Sequence, residues 1–134
     1  MTKIIDIEGV GSTYAKKLAS AGINTVESLL KRGATPKGRE EISKASGIDR
    51  NLILEWVNRA DLYRIKGIGS EYSDLLESAG VDTVVELSKR DAKNLTAKMV
   101  ETNSKRKIVR RLPPEKQVAD WIKQAKKLPR VVSY

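Results

Sequence analysis

Ile7-Glu8-Gly9-Val10-Gly11-Ser12 and its echo Ile65-Lys66-Gly67-Ile68-Gly69-Ser70 decide how this chain is read. In each copy an apolar residue leads into Gly-apolar-Gly, and a helical pattern starts directly afterwards. Two glycines one residue apart permit backbone angles that a side chain forbids, so a tight turn is expected at each place. Such a turn leaves amide N–H groups unpaired at a helix N-terminus, where the positive end of the dipole reinforces them. An anion, above all a phosphate, suits that arrangement.

Comparing the chain with itself extends the echo. Residues 7–32 and 65–90 are identical at 14 of 26 positions at a constant offset of 58, including Ser12/Ser70, Tyr14/Tyr72, Leu18/Leu76 and Ala21-Gly22/Ala79-Gly80. Further on, Ile53-Leu54-Glu55-Trp56-Val57 is matched by Val118-Ala119-Asp120-Trp121-Ile122 at an offset of 65, so seven residues are inserted before the second tryptophan. The chain therefore holds two units of about 60 residues.

Each unit reads as helical. Tyr14, Leu18 and Ala21 fall at i, i+4, i+7 and draw one apolar stripe. Gly22 stands where a left-handed helix end belongs, followed by the apolar Ile23. Thr25 caps a helix from Val26 to Arg32, and Thr35-Pro36 opens another to about Ala45. Asp49 is expected to cap a helix over 50–62, with Ile48 and Ile53 as its hydrophobic staple, and Thr83-x-x-Glu86 reads as a capping box. Alternation of period two is confined to Val131–Tyr134, beyond the helix-ending Pro129. The fold class expected is all-α.

Composition narrows the function. Hydrophobic residues make up 40% and charged residues 32% of the 134, which suits a folded soluble protein rather than a disordered one. No apolar run is long enough to cross a membrane, and no secretory leader is visible. Cysteine is absent, removing disulfides and thiolate metal sites and fitting a cytoplasmic location. Histidine is absent too, which removes the commonest general base and metal ligand; the expectation is no enzyme, no catalytic residue and no metal. Net charge is +9, unevenly placed: +3 over residues 1–64, −2 over 65–104 and +8 over 105–134. A basic block of that kind attracts polyanions, or else only keeps a solvated face soluble.

Other motifs are weaker. Trp56 and Trp121 occupy matching places inside apolar helix faces, and a core role is favoured over base stacking; Tyr14 and Tyr72 are read the same way. Gly33-x-x-x-x-Gly38-Arg39 has the outline of a phosphate loop but lacks the Lys-Ser/Thr and follows a helix where a strand is needed. Glu41 to Arg59 has helix-turn-helix spacing, yet a packed helix pair inside the unit is the better reading.

At the glycine turns the sequence resembles the helix-hairpin-helix superfamily, whose hairpin carries apolar-x-Gly-apolar-Gly before its second helix. Nearly the whole chain resembles an uncharacterised prokaryotic family of small tandem helix-hairpin-helix proteins. Each unit has a degenerate second hairpin at Ser46-Gly47-Ile48, or at Leu112-Pro113-Pro114 where the glycine is lost. The resemblance implies two tandem helix-hairpin-helix units (SAM-like, double-hairpin) packed together, over 1–61 and 62–128, with a non-helical tail at 129–134. It also implies contact with duplex DNA phosphates across the minor groove, without sequence preference. Carried over, the binding set is Gly9, Val10, Gly11, Ser12, Thr13, Lys16 and Lys17 in the first copy and Gly67, Gly69 and Ser70 in the second. The basic run Lys105, Arg106, Lys107, Arg110 and Arg111 adds to it. A monovalent cation on the hairpin carbonyls is the one cofactor the resemblance allows.

This chain departs from the family at Thr13 and Glu71, where binders often have lysine. Glu71 and Asp74 would repel phosphates, so the second hairpin reads as structural or as a protein contact. The leading expectation is a non-enzymatic DNA-binding protein, with RNA as a further partner and no membrane. The alternative is a protein–protein adaptor or scaffold on the same fold.

Overall fold

The computed structural model describes residues 2–134. Among them a 3-10 turn over Ile4–Asp6 precedes eight α-helices: α1 (Gly11–Ser20), α2 (Val26–Arg32), α3 (Pro36–Ser46), α4 (Arg50–Leu62), α5 (Ser70–Ser78), α6 (Val84–Ser88), α7 (Ala92–Arg106) and α8 (Glu115–Lys127). The protein is all-α; the described residues form no strand, only an isolated bridge between Lys3 and Thr25. The chain divides into two compact units, one of residues up to Asp61 together with Val131–Tyr134, the other Leu62–Arg130.

In the first unit the helix starts carry the caps expected from sequence. The Thr25 hydroxyl accepts from the Ser28 amide at 3.0 Å, that of Thr35 from Gly38 at 3.1 Å, and Asp49 Oδ1 from Asn51 at 2.7 Å. Each satisfies an amide that has no intrahelical partner. α1 ends in the expected left-handed turn at Gly22, with the Ile23 amide returning to the Leu18 carbonyl at 2.9 Å. Arg32, at the end of α2, donates back to the Ala21 carbonyl. Ile7, Val10, Leu18, Ile23, Leu29, Ile42, Ile53 and Trp56 are buried.

Residues 129–134 are non-helical as expected, and the last four of them belong to the first unit. The Ser133 amide donates to the Ala34 carbonyl at 2.8 Å and Val132 is buried. Arg39, only 6% exposed, donates Nη1 to the Gly33 carbonyl at 2.8 Å and Nη2 to the Ser133 carbonyl at 2.7 Å. Its guanidinium also lies 5.9 Å from the Tyr134 ring centroid, and the Tyr134 hydroxyl donates to Asn58 Oδ1 at 3.0 Å.

The second unit repeats these devices. Thr83 caps α6 and Asp91 caps α7. The Val81 amide returns to Leu76 at 2.8 Å, and Arg90 Nη2 donates to the Gly80 carbonyl at 2.9 Å, one residue beyond the position that Arg32 takes at Ala21 in the first unit. Only the threonine half of the expected capping box forms, because Glu86 Oε1 accepts instead from Arg90 Nε at 3.3 Å and Nη2 at 3.1 Å. The core gathers Leu62, Ile65, Leu75, Leu76, Val81, Leu87, Met99 and Trp121.

The net insertion of seven residues combines a longer α7, a longer loop after it and an α6 of 5 residues where α2 has 7. α7 runs 15 residues where α3 runs 11, and residues 107–114 lead to α8 where only 47–49 lead to α4. The left-handed turn held by Gly47 after α3 falls at Lys107 after α7 (φ 49°), not at Leu112-Pro113-Pro114. Asn103 fixes the loop with both ends of its amide, donating to the Val109 carbonyl at 3.1 Å and accepting from its amide at 2.9 Å.

Candidate nucleic-acid interface

The first glycine turn is built from below. Gly9 has φ 91° and Gly11 φ 62°, while Val10 between them is buried and anchors the turn. Trp56, 1% exposed, lies beneath: a Cβ on Gly9 would stand 3.7 Å from its Nε1. Tyr14 meets Trp56 edge-on, ring centroids 5.1 Å apart at 63°. The turn therefore rests on an aromatic pair, and the indole is a support rather than an exposed stacking surface.

α1 starts at Gly11 with no side-chain cap on its first amides, unlike α2 and α3. Ser12, Thr13, Lys16 and Lys17 are exposed along that start. Lys17 leans toward the N-terminal turn, its Nζ 5.7 Å from the Tyr14 ring centroid. No carboxylate occupies the first turn of α1.

The second turn has the same aromatic support and a different top. Gly67 has φ 102°, and a Cβ there would come within 3.0 Å of Trp121 Nε1; Tyr72 and Trp121 sit 5.1 Å apart at 57°. Gly69 differs from its counterpart Gly11: its φ is −122° and a Cβ would meet nothing within 4 Å. The backbone freedom expected of both glycines is needed only at Gly67. Ser70 is half-buried, and its carbonyl accepts from the Ser73 hydroxyl at 3.0 Å.

Gln124 was not among the residues expected to shape this turn. Its Oε1 accepts from the Lys66 amide at 2.8 Å and its Nε2 donates to the Lys66 carbonyl at 3.1 Å, so the residue before Gly67 is clamped from α8. The available signal was its position three residues beyond Trp121, on the same helix face. With Glu71 exposed in the first turn of α5, this copy is both pinned and acidic.

The basic run does not present five equivalent cations. Lys105 pairs with Glu101 at 3.5 Å, Arg106 donates to Ser78 Oγ at 2.7 Å, and Lys107 forms the left-handed end of α7. Arg110 and Arg111 are exposed, and the Arg111 carbonyl accepts from the Tyr72 hydroxyl at 3.0 Å, which ties this loop to α5. Lys16 and Lys17 belong to the first unit and the run to the second.

Among the described residues there is no cluster of three or more carboxylates able to hold a metal ion, and no helix long and apolar enough to cross a membrane. No curated protein and no solved structure matches the chain. A family profile described as a domain of unknown function, DUF4332, matches residues 8–128, a span that takes in both glycine turns and α1 to α8, and the chain belongs to that family.

Proposed function

We propose that this protein is a non-enzymatic nucleic-acid-binding protein of the helix-hairpin-helix kind. Its first glycine turn grips phosphates of duplex DNA. The observation that carries this reading is the uncapped start of α1, with Gly9 and Gly11 in left-handed geometry and Ser12, Thr13, Lys16 and Lys17 exposed around it. Phosphate oxygens accept from the free amides, the helix dipole favours their charge, and a lysine leaning back adds a second attraction. None of these groups reads a base edge, so binding is indifferent to sequence and depends steeply on salt.

The second turn contributes little to that grip. Lys66 has its backbone amide and carbonyl committed to Gln124, and Glu71, exposed in the first turn of α5, would repel a phosphate there. Titrating binding of a labelled duplex against salt tests the proposal, with Lys16→Glu/Lys17→Glu alongside. The double reversal is expected to remove most of the binding while leaving the helical signal unchanged, because both lysines are exposed. Unchanged affinity would reject the first turn as the contact.

A further inference from the structure

The second unit carries a concave basic surface outside both glycine turns. Two adjoining grooves share Arg90 and Asp91 at the corner between α6 and α7. One is lined also by Lys89 and Lys98, the other by Lys123 and Lys126 of α8. Lys123 and Lys126 are three residues apart and so share one helix face, as do Leu95 and Lys98 on α7.

The charge of these grooves is not neutralised from within. Arg90 is paired with Glu86 at 3.1 Å, and Asp91, the one acidic side chain lining them, caps α7 through Oδ2 to the Asn94 amide at 3.0 Å. Lys89, Lys98, Lys123 and Lys126 are exposed and have no carboxylate partner among the described residues. Each groove thus carries two lysines, and the buried Leu95 and Ile122 are among the residues that line them.

We infer that these adjoining grooves form a second nucleic-acid contact, taking a run of backbone phosphates on their lysines and the sugars against their apolar lining. The inference rests on the nucleic-acid reading given above and assigns it a separate surface. Charge complementarity selects a polyanion. A lipid bilayer would call for exposed large apolar side chains. The exposed ones among the described residues, Ile5, Val100 and Tyr134, do not line these grooves.

The test uses the full chain and a labelled duplex of about 20 base pairs, with log affinity followed against log salt. If each lysine takes one phosphate, replacing Lys89, Lys98, Lys123 and Lys126 with Gln makes the slope shallower by about 3.6. Between 50 and 200 mM salt the wild type would then lose roughly 150-fold more affinity than the variant. The pair Lys123→Gln/Lys126→Gln should give about half that change in slope, and four Lys→Arg replacements should restore it, while circular dichroism shows the fold intact. A wild-type slope in the quadruple variant, with binding lost in Lys16→Glu/Lys17→Glu, overturns the groove and leaves the first turn standing. Absence of duplex and single-strand binding by the wild type at 50 mM salt overturns both. If the quadruple variant keeps the duplex slope but loses binding to phosphatidylserine vesicles, the groove is a lipid contact and the inference fails.

Discussion

A methyl group at Gly67 would meet Trp121 Nε1 at 3.0 Å on a backbone with φ 102°, whereas one at Gly69 would meet nothing at φ −122°. Gly67→Ala is therefore expected to destabilise the protein by about 2 kcal/mol, and Gly69→Ala by no more than about 0.5 kcal/mol. Urea unfolding of the two variants checks this; equal losses would contradict the geometry. The spacing of glycines in the sequence treats Gly67 and Gly69 alike, because a pattern of residue types does not state which of two permissive positions takes the positive φ. Trp121 and Trp56 were legible as core, since both fall inside apolar helix faces, and both are buried. Arg39 was not: in the sequence it only ends the incomplete phosphate-loop outline, yet it is buried against two carbonyls. Burial pulls its guanidinium below the usual arginine value, with Tyr134 acting in the opposite direction. It stays charged at any working pH. Arg39→Ala, which leaves the Gly33 and Ser133 carbonyls without their donor, should cost roughly 2–4 kcal/mol by the same unfolding measurement.

Helix starts were the most legible elements, because a short side-chain oxygen before an apolar-periodic run answers a local need of the backbone. Thr25, Thr35, Asp49 and Thr83 all cap as expected, and Thr83→Ala is predicted to lower the unfolding free energy by about 1 kcal/mol. Contacts between residues far apart in sequence left no local signature. The docking of Ser133 and Tyr134 onto Ala34, Arg39 and Asn58, the Gln124 clamp on Lys66 and the Asn103 clamp on Val109 belong to that class. Removing residues 131–134 should therefore destabilise the first unit, seen as earlier hydrogen exchange of α3 amides than in the full chain; unchanged exchange would reject the docking. In α5, Glu71 is exposed in the first turn, where a carboxylate favours the helix dipole. Glu71→Lys is expected to cost a few tenths of a kcal/mol, about 0.3–1, in stability. It should also strengthen duplex binding measurably if the second turn lies near the DNA.

At the scale of the whole molecule, the net charge of +9 is carried by surfaces of different kinds. Lys105 and Arg106 are engaged within the second unit, while Lys16 and Lys17 flank an uncapped helix start in the first. The sequence showed where basic residues cluster along the chain, but not which of them are paired or which line a common groove, because that depends on helices brought together from distant segments. In the proposed function the first glycine turn holds nucleic-acid phosphates through its amides and neighbouring lysines. The most direct measurement is the salt dependence of duplex binding by the wild type and by Lys16→Glu/Lys17→Glu. The wild type is expected to show a log–log slope of about −3.6 or steeper, the same for unrelated duplex sequences, and the double reversal to lose roughly tenfold or more in affinity. A wild-type slope near zero, a strong preference for one duplex sequence, or wild-type affinity in the double reversal would contradict it.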